Sequence, residues 1–176
     1  MKYFTGVGSR GIDSDTYYAI TQASAALLHM GLGLRSGAAQ GADTAFEEPF
    51  IGRDTQIFLP WARYNGHASE HYNIPPRAFE IAESVYIHDW QRIKPSIQKL
   101  MARNVQQVLG PTLTKGEESL FVLCWTKDGC DCHEYRQPQT GGTGQAISVA
   151  SQFDIPVINM YNDNWKIKLS KILEDI

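Results

Sequence analysis

Three glycine-bearing corners carry most of the residues able to do chemistry. They are Gly6-Val7-Gly8-Ser9-Arg10-Gly11, Ser36-Gly37-Ala38-Ala39-Gln40-Gly41-Ala42-Asp43 and Gly141-Gly142-Thr143-Gly144-Gln145-Ala146. A glycine lets backbone N–H groups crowd a ligand, and a helix start adds partial positive charge, so each corner suits a phosphate. On this reading Gly8, Ser9, Ser36, Gly37, Gly41, Gly141, Gly142, Thr143, Gly144 and Gln145 surround an anion. Arg10 and Arg103 neutralise it, and Asn104 stands beside Arg103. A guanidinium offers two parallel donors in fixed geometry, which favours a phosphate or carboxylate clamp at Arg103 over a solvated helix residue. Asp43 falls in the first turn of a helix. There it serves either as dipole compensation or as acceptor for a sugar hydroxyl. Glu47, one turn further on, shares its face. Trp61 and Tyr64 open a polar, aromatic segment over residues 61–72, whose composition suits a lid on a base or sugar.

The elements that must position these corners alternate between short apolar runs and helical periodicity. Strands are predicted over 2–7, 33–35, 55–59, 120–125 and 155–160. Helices are predicted from Ser14, as N-cap, to a stop at Gly31, then over 42–46, from Pro76 to about 85, over 95–109, 146–153 and 163–173. Strand, glycine turn, helix, strand is a βαβ unit, so the fold class is α/β. A doubly wound, mainly parallel sheet carries helices on both faces, and the turns gather at its carboxyl edge. The first corner formally matches G-x-G-x-x-G. The second strand, however, ends in Arg35 and Ser36 instead of the acid that holds a dinucleotide ribose, so ordinary NAD binding is set aside.

The 176 residues suggest one domain with room for a core. A net charge of −3 gives no global attraction to nucleic acid, so any strand binding needs a local basic patch. Arg10, Arg35, Arg63, Arg103 and Lys127 are the candidates. No apolar stretch reaches the roughly 20 residues of a membrane span. Met1-Lys2-Tyr3-Phe4-Thr5 runs directly into a strand, which leaves no room for a signal peptide. The three cysteines do not make a disulfide framework, and the expected location is the reducing cytoplasm. Cys130, Cys132 and His133 form C-x-C-H, which misses the common zinc spacings, so no metal site and no cofactor are expected.

Gly8-Ser9-Arg10, residues 36–43, Met101-Ala102-Arg103-Asn104 and residues 141–146 occur together in one order. They resemble the DprA/Smf proteins and the LOG-type phosphoribohydrolases, relatives in the Rossmann-like superfamily called SLOG. The likeness runs from about residue 4 to residue 160. The second corner and the Arg-Asn pair look more like DprA; the Gly-Gly-Thr-Gly turn looks more like LOG. The resemblance implies a three-layer α/β/α fold, a homodimer, and a cleft for a nucleotide or nucleotide-derived ligand. From DprA it implies single-stranded DNA as a further partner. LOG chemistry, the hydrolysis of an N-glycosidic bond in a nucleoside monophosphate, implies a catalytic arginine, matched by Arg103, and a glutamate just after the glycine turn. Gln145 and Ala146 follow Gly144 instead, and an amide does not titrate usefully. Hydrolysis would then require Asp43 or Glu47 to replace the carboxylate. Binding of a phosphorylated nucleotide is the leading expectation.

Overall fold

The computed structural model describes residues 1–176. Five parallel strands, β1 (Tyr3–Gly8), β2 (Gly33–Ser36), β3 (Thr55–Ile57), β4 (Val122–Trp125) and β5 (Val157–Asn159), lie in the order β3-β2-β1-β4-β5. Six helices cover them: α1 (Ser14–His29), α2 (Ala42–Glu47), α3 (Pro76–Val85), α4 (Pro95–Leu109), α5 (Thr143–Gln152) and α6 (Trp165–Glu174). This is the expected three-layer α/β/α, Rossmann-like arrangement, with every strand pair parallel.

Successive strand residues point to opposite faces, and the two cores follow from that alternation. Phe4, Leu34, Leu123 and Ile158 face α1, α2 and α6, where Phe4 stacks on Phe121 at 5.8 Å between centroids. Val7, Val122 and Cys124 face α3, α4 and α5. Parallel strands covered on both sides read as continuous apolar runs, which is why residues 120–125 were legible as a strand.

Local chemistry moved some predicted boundaries. Helix α1 is capped by Asp13, not Ser14: Asp13 has extended backbone, and its carboxylate accepts the Thr16 N–H at 2.8 Å. Ser14 is already helical. Strand β3 ends at Ile57; Phe58 still donates to the Ser36 carbonyl of β2 at 2.9 Å, and the Leu59 N–H then donates to the His71 carbonyl at 2.8 Å. Helix α5 starts at Thr143, so half of the Gly-Gly-Thr-Gly corner is its first turn.

No helix is long and apolar enough to cross a membrane.

Candidate functional site

Strands β1 and β4 are neighbours, and the chain leaves them in opposite directions, β1 toward β2 and β4 toward β5. At such a switch point the loops diverge and open a crevice. A cavity of about 440 Å³ lies there. Gly8, Ser9, Arg10 and Gly11 line it from the end of β1, Ala39 and Asp43 from the second corner, and Gly141, Gly142 and Thr143 from the third. Helix α4 supplies Leu100, Met101, Arg103, Asn104 and Gln107, while Lys127, Gln139 and Thr140 come from the segment after β4. Glycine corners from separate parts of the chain thus meet at one place.

The inner wall is built around Asp43, which is 3% exposed. Its two carboxylate oxygens accept the N–H groups of Gly8 at 3.2 Å and Ala39 at 3.3 Å. Burial pushes its carboxyl upward, while Arg103 and the amides of Ala39, Gly8 and Gly37 favour its charged form. A nest of backbone amides is an anion site. Here Asp43 fills the nest of the first two corners itself. The Ser9 amide donates to the Trp125 carbonyl at 3.0 Å, and the Gly144 amide to the Gly141 carbonyl at 3.1 Å. The expected cradle of Gly8, Ser9, Gly37 and Gly144 amides is therefore largely taken up by internal bonds. Gly142 and Thr143, at the start of the ten-residue α5, donate to no protein acceptor.

Arg103 is 5% exposed, so its charge is held inside the protein. Its Nη1 donates to the carbonyls of Gly37 and, at 3.2 Å, Phe58, and the guanidinium lies 5.6 Å from the Tyr64 ring centroid. Desolvation lowers its pKa, opposed by the attraction of Asp43. Glu47 accepts the Ala38 N–H at 2.9 Å, and burial, with Asp43 nearby, raises its pKa to about 7. It lies behind Asp43 and outside the cavity wall, which leaves Asp43 as the single carboxylate lining it. Asn104 donates to the Gly142 carbonyl at 3.3 Å and so ties α4 to the third corner.

Other predicted site residues sit elsewhere. Ser36 is fully buried beneath the second corner, Gly37 contacts Arg103, and Gly41 packs on the backbone of Ser9 and Arg10 with φ +80°. Gln145 is fully buried: its Oε1 accepts from Arg136 at 2.9 Å, and its Nε2 donates to the Ala82 carbonyl at 2.7 Å. Gly144 gives Arg136 room, since a Cβ there would come within 2.6 Å of the guanidinium Nε. Trp61 and Tyr64 pack edge to face at 5.4 Å, outside the cavity. Tyr64 is buried and covers Arg103 from outside, while its hydroxyl accepts from Arg10 at 3.2 Å. Arg35 turns toward the amino edge of the sheet, donating to Gln56 Oε1 at 2.7 Å and the Glu117 carbonyl at 2.6 Å. Cys130 donates to the Cys132 carbonyl, and His133 Nδ1 pairs with Ser148 Oγ at 2.7 Å.

Sequence reasoning missed Gln107, Thr140 and Arg136. Gln107 stands one turn beyond Arg103 on α4, and that spacing was the available signal. Thr140 donates to Asp128 at 2.5 Å and fixes the approach to the third corner. The cavity is consequently polarised. Exposed Arg10 and Lys127, with the free α5 amides, make a cationic rim, whereas the floor carries Asp43, Arg103 and the Gln107 amide.

No protein-family model matches the sequence, and no curated protein matches it. A solved structure of DNA processing protein A from Helicobacter pylori, described for its single-stranded DNA binding mode, aligns with 99% of this chain and 72% of its own, with a TM-score of 0.55 and 17% identity. The likeness is one of fold, and it extends over nearly the whole chain.

Proposed function

We propose that the switch-point cavity binds a phosphorylated nucleotide, with its phosphate at the rim between Arg10, Lys127 and the start of α5. The observation that carries this reading is the polarity of the cavity. An acceptor-only anion fits a rim made of two cations and two unengaged amides, and does not fit a floor already holding a carboxylate. A ligand that binds only the folded state raises its melting temperature. AMP is therefore expected to stabilise the protein and adenosine is not, and Arg10→Gln with Lys127→Gln together should remove the AMP effect. Equal shifts from nucleotide and nucleoside would refute the phosphate assignment.

Single-stranded DNA is the second reading, supported by the function described for the Helicobacter pylori protein. Its electrostatic footing here is narrow. Arg35 and Arg103 are occupied internally, and Arg10 and Lys127 are the exposed cations at the cavity. Two phosphate contacts on a single strand give a log–log salt slope of roughly −1.4. Oligo(dT) titrations at several salt concentrations measure that slope, and salt-independent binding would exclude the DNA reading. Cleavage of an N-glycosidic bond would fall to Asp43, the one carboxylate in the wall, and incubation with AMP tests it by release of free adenine.

A further inference from the structure

Gln107 is 1% exposed, lines the cavity floor, and neither its Nε2 nor its Oε1 meets a protein hydrogen-bond partner. Beside it the Nε–H of Arg103 is also buried and unpaired. Buried polar atoms are nearly always hydrogen-bonded, and leaving one unmade costs about 1–3 kcal/mol. The amide is given its space by the second corner: a Cβ on Gly37 would overlap Gln107 Nε2 and Arg103 Nη1. Its main chain is firmly held, because the Gln107 carbonyl accepts from Thr5 Oγ1 at 2.6 Å. The backbone at 107 is thus fixed, while the amide, one donor group and one acceptor whichever way round it sits, lies unpaired and closed off from water at the cavity floor.

The chemistry of that floor restricts what can rest on it. A phosphate accepts only; it would leave Gln107 Oε1 unpaired and would face Asp43. A hydroxyl both donates and accepts. One hydroxyl can donate to Gln107 Oε1 while accepting from Arg103 Nε–H or from Gln107 Nε2. A neighbouring one can donate to Asp43 Oδ1, which takes the Gly8 N–H and retains a further lone pair. Asn104, next to Arg103 in the chain, is bonded to the Gly142 carbonyl at the rim at 3.3 Å, so α4 contributes to both floor and rim. In a nucleotide the group attached directly to the phosphate is the pentose. With the phosphate at the rim, the pentose is the part that reaches the floor.

We propose that Gln107 is a specificity-determining residue that reads the 2′-hydroxyl of a phosphorylated ribose, so that the site selects ribonucleotides over 2′-deoxyribonucleotides. The inference rests on the nucleotide reading above and narrows it to one sugar. The 2′-hydroxyl is the group by which a protein distinguishes the two sugars, and a site whose buried polar atoms lose their partner rejects the analogue strongly.

The test is titration calorimetry with AMP and 2′-deoxy-AMP on the wild-type protein and Gln107→Met, with the melting temperature of each ligand-free protein measured alongside. The wild type should bind AMP at least tenfold more tightly than the deoxynucleotide. In Gln107→Met that ratio should fall close to one, while the ligand-free melting temperature holds or rises, because a similarly sized apolar side chain replaces an unpaired buried amide. A structural role for Gln107 would instead lower the melting temperature and leave the ratio intact. Should the methionine variant fail to fold, Gln107→Leu takes its place, and the wild-type ratio alone still decides. Equal affinity for both nucleotides overturns the inference and spares the nucleotide reading. Binding of neither overturns that reading and the inference with it.

Discussion

Glu47 gives the sharpest test of how the inner wall is held. Its carboxyl sits behind Asp43, takes one hydrogen bond from the Ala38 amide, and is raised from an ordinary 4.5 to about 7, first by burial and then by the Asp43 charge. At about 1.36 kcal/mol per pH unit this displacement corresponds to roughly 3 kcal/mol. That is an upper limit, because Glu47 keeps some contact with water and its ionised form is attracted by Arg103. The sign follows from proton uptake. Between pH 4.5 and 7 the folded protein holds a proton on Glu47 that the unfolded chain has released. Ionisation of Glu47 therefore costs stability progressively as pH rises through that window, and the full cost is present above it. Glu47→Gln keeps an acceptor for the Ala38 N–H and removes the titration. The advantage of the variant should be within about 1 kcal/mol near pH 5 and grow by about 1–3 kcal/mol by pH 8. For a chain of this size that is roughly 3–10 °C in melting temperature. Urea unfolding of both proteins from pH 5 to 8, compared as a difference, isolates this group from others that titrate. A stability difference that stays flat across the range would refute the reasoning, as would a Glu47→Gln protein less stable than wild type at pH 8.

Two further outcomes check the frame around the site. Gly37→Ala would place a methyl group on Arg103 Nη1 and Gln107 Nε2, so both side chains must shift to admit it. Overpacking of this kind costs about 1–3 kcal/mol. The AMP-induced thermal shift should disappear in the variant while far-UV circular dichroism stays native. Phe4→Ala empties a fully buried position that stacks on Phe121 and meets Phe46 edge-on at 6.4 Å. It should cost about 3–5 kcal/mol in urea unfolding with little change in m-value.

The framework of the site was legible because local rules and the fold agree. Helix α4 spans Pro95–Leu109 as its opening proline and apolar stripe indicated, and the cavity opens where the glycine corners follow β1 and β4. The hydrogen-bond inventory inside the corners was not legible. A sequence records that Gly8 and Ser9 have amides, but only the register of β1 against β4 commits the Ser9 amide to Trp125, and only the placement of α2 commits the Gly8 amide to Asp43. Gln145 was read as facing a ligand from its place in the corner. It faces inward because Arg136, from a segment given no role, comes to rest against Gly144. Trp61 and Tyr64 had the composition of a lid, yet Tyr64 found a buried cation to cover, and a ring over a guanidinium is favourable in its own right.

The polar side of α4 explains why so much of the site depends on one helix. Arg103, Asn104, Gln106 and Gln107 are all buried, an arrangement that costs free energy unless each side chain finds a partner. Three of them engage loop carbonyls, although Arg103 Nε and Gln106 Oε1 stay unpaired. Arg103 takes the carbonyls of Gly37 and Phe58, Asn104 that of Gly142, and Gln106 those of Asn73 and Pro111 at 3.1 Å each. Five loop carbonyls are thereby fixed to one rod, and the corners that line the cavity owe their relative positions partly to those bonds. Gln107 belongs to the same row but clips nothing with its amide, even though its own main chain is tied to β1 through Thr5. If the row existed only to stitch loops, an apolar residue at 107 would serve better, since it would close against Gly37 with no unpaired amide. Gln107 is the one member of the row whose side chain makes no hydrogen bond at all, whereas Arg103 Nε and Gln106 Oε1 are single unpaired atoms on side chains that are otherwise engaged. Replacing Gln107 by methionine tests whether its amide is retained for binding.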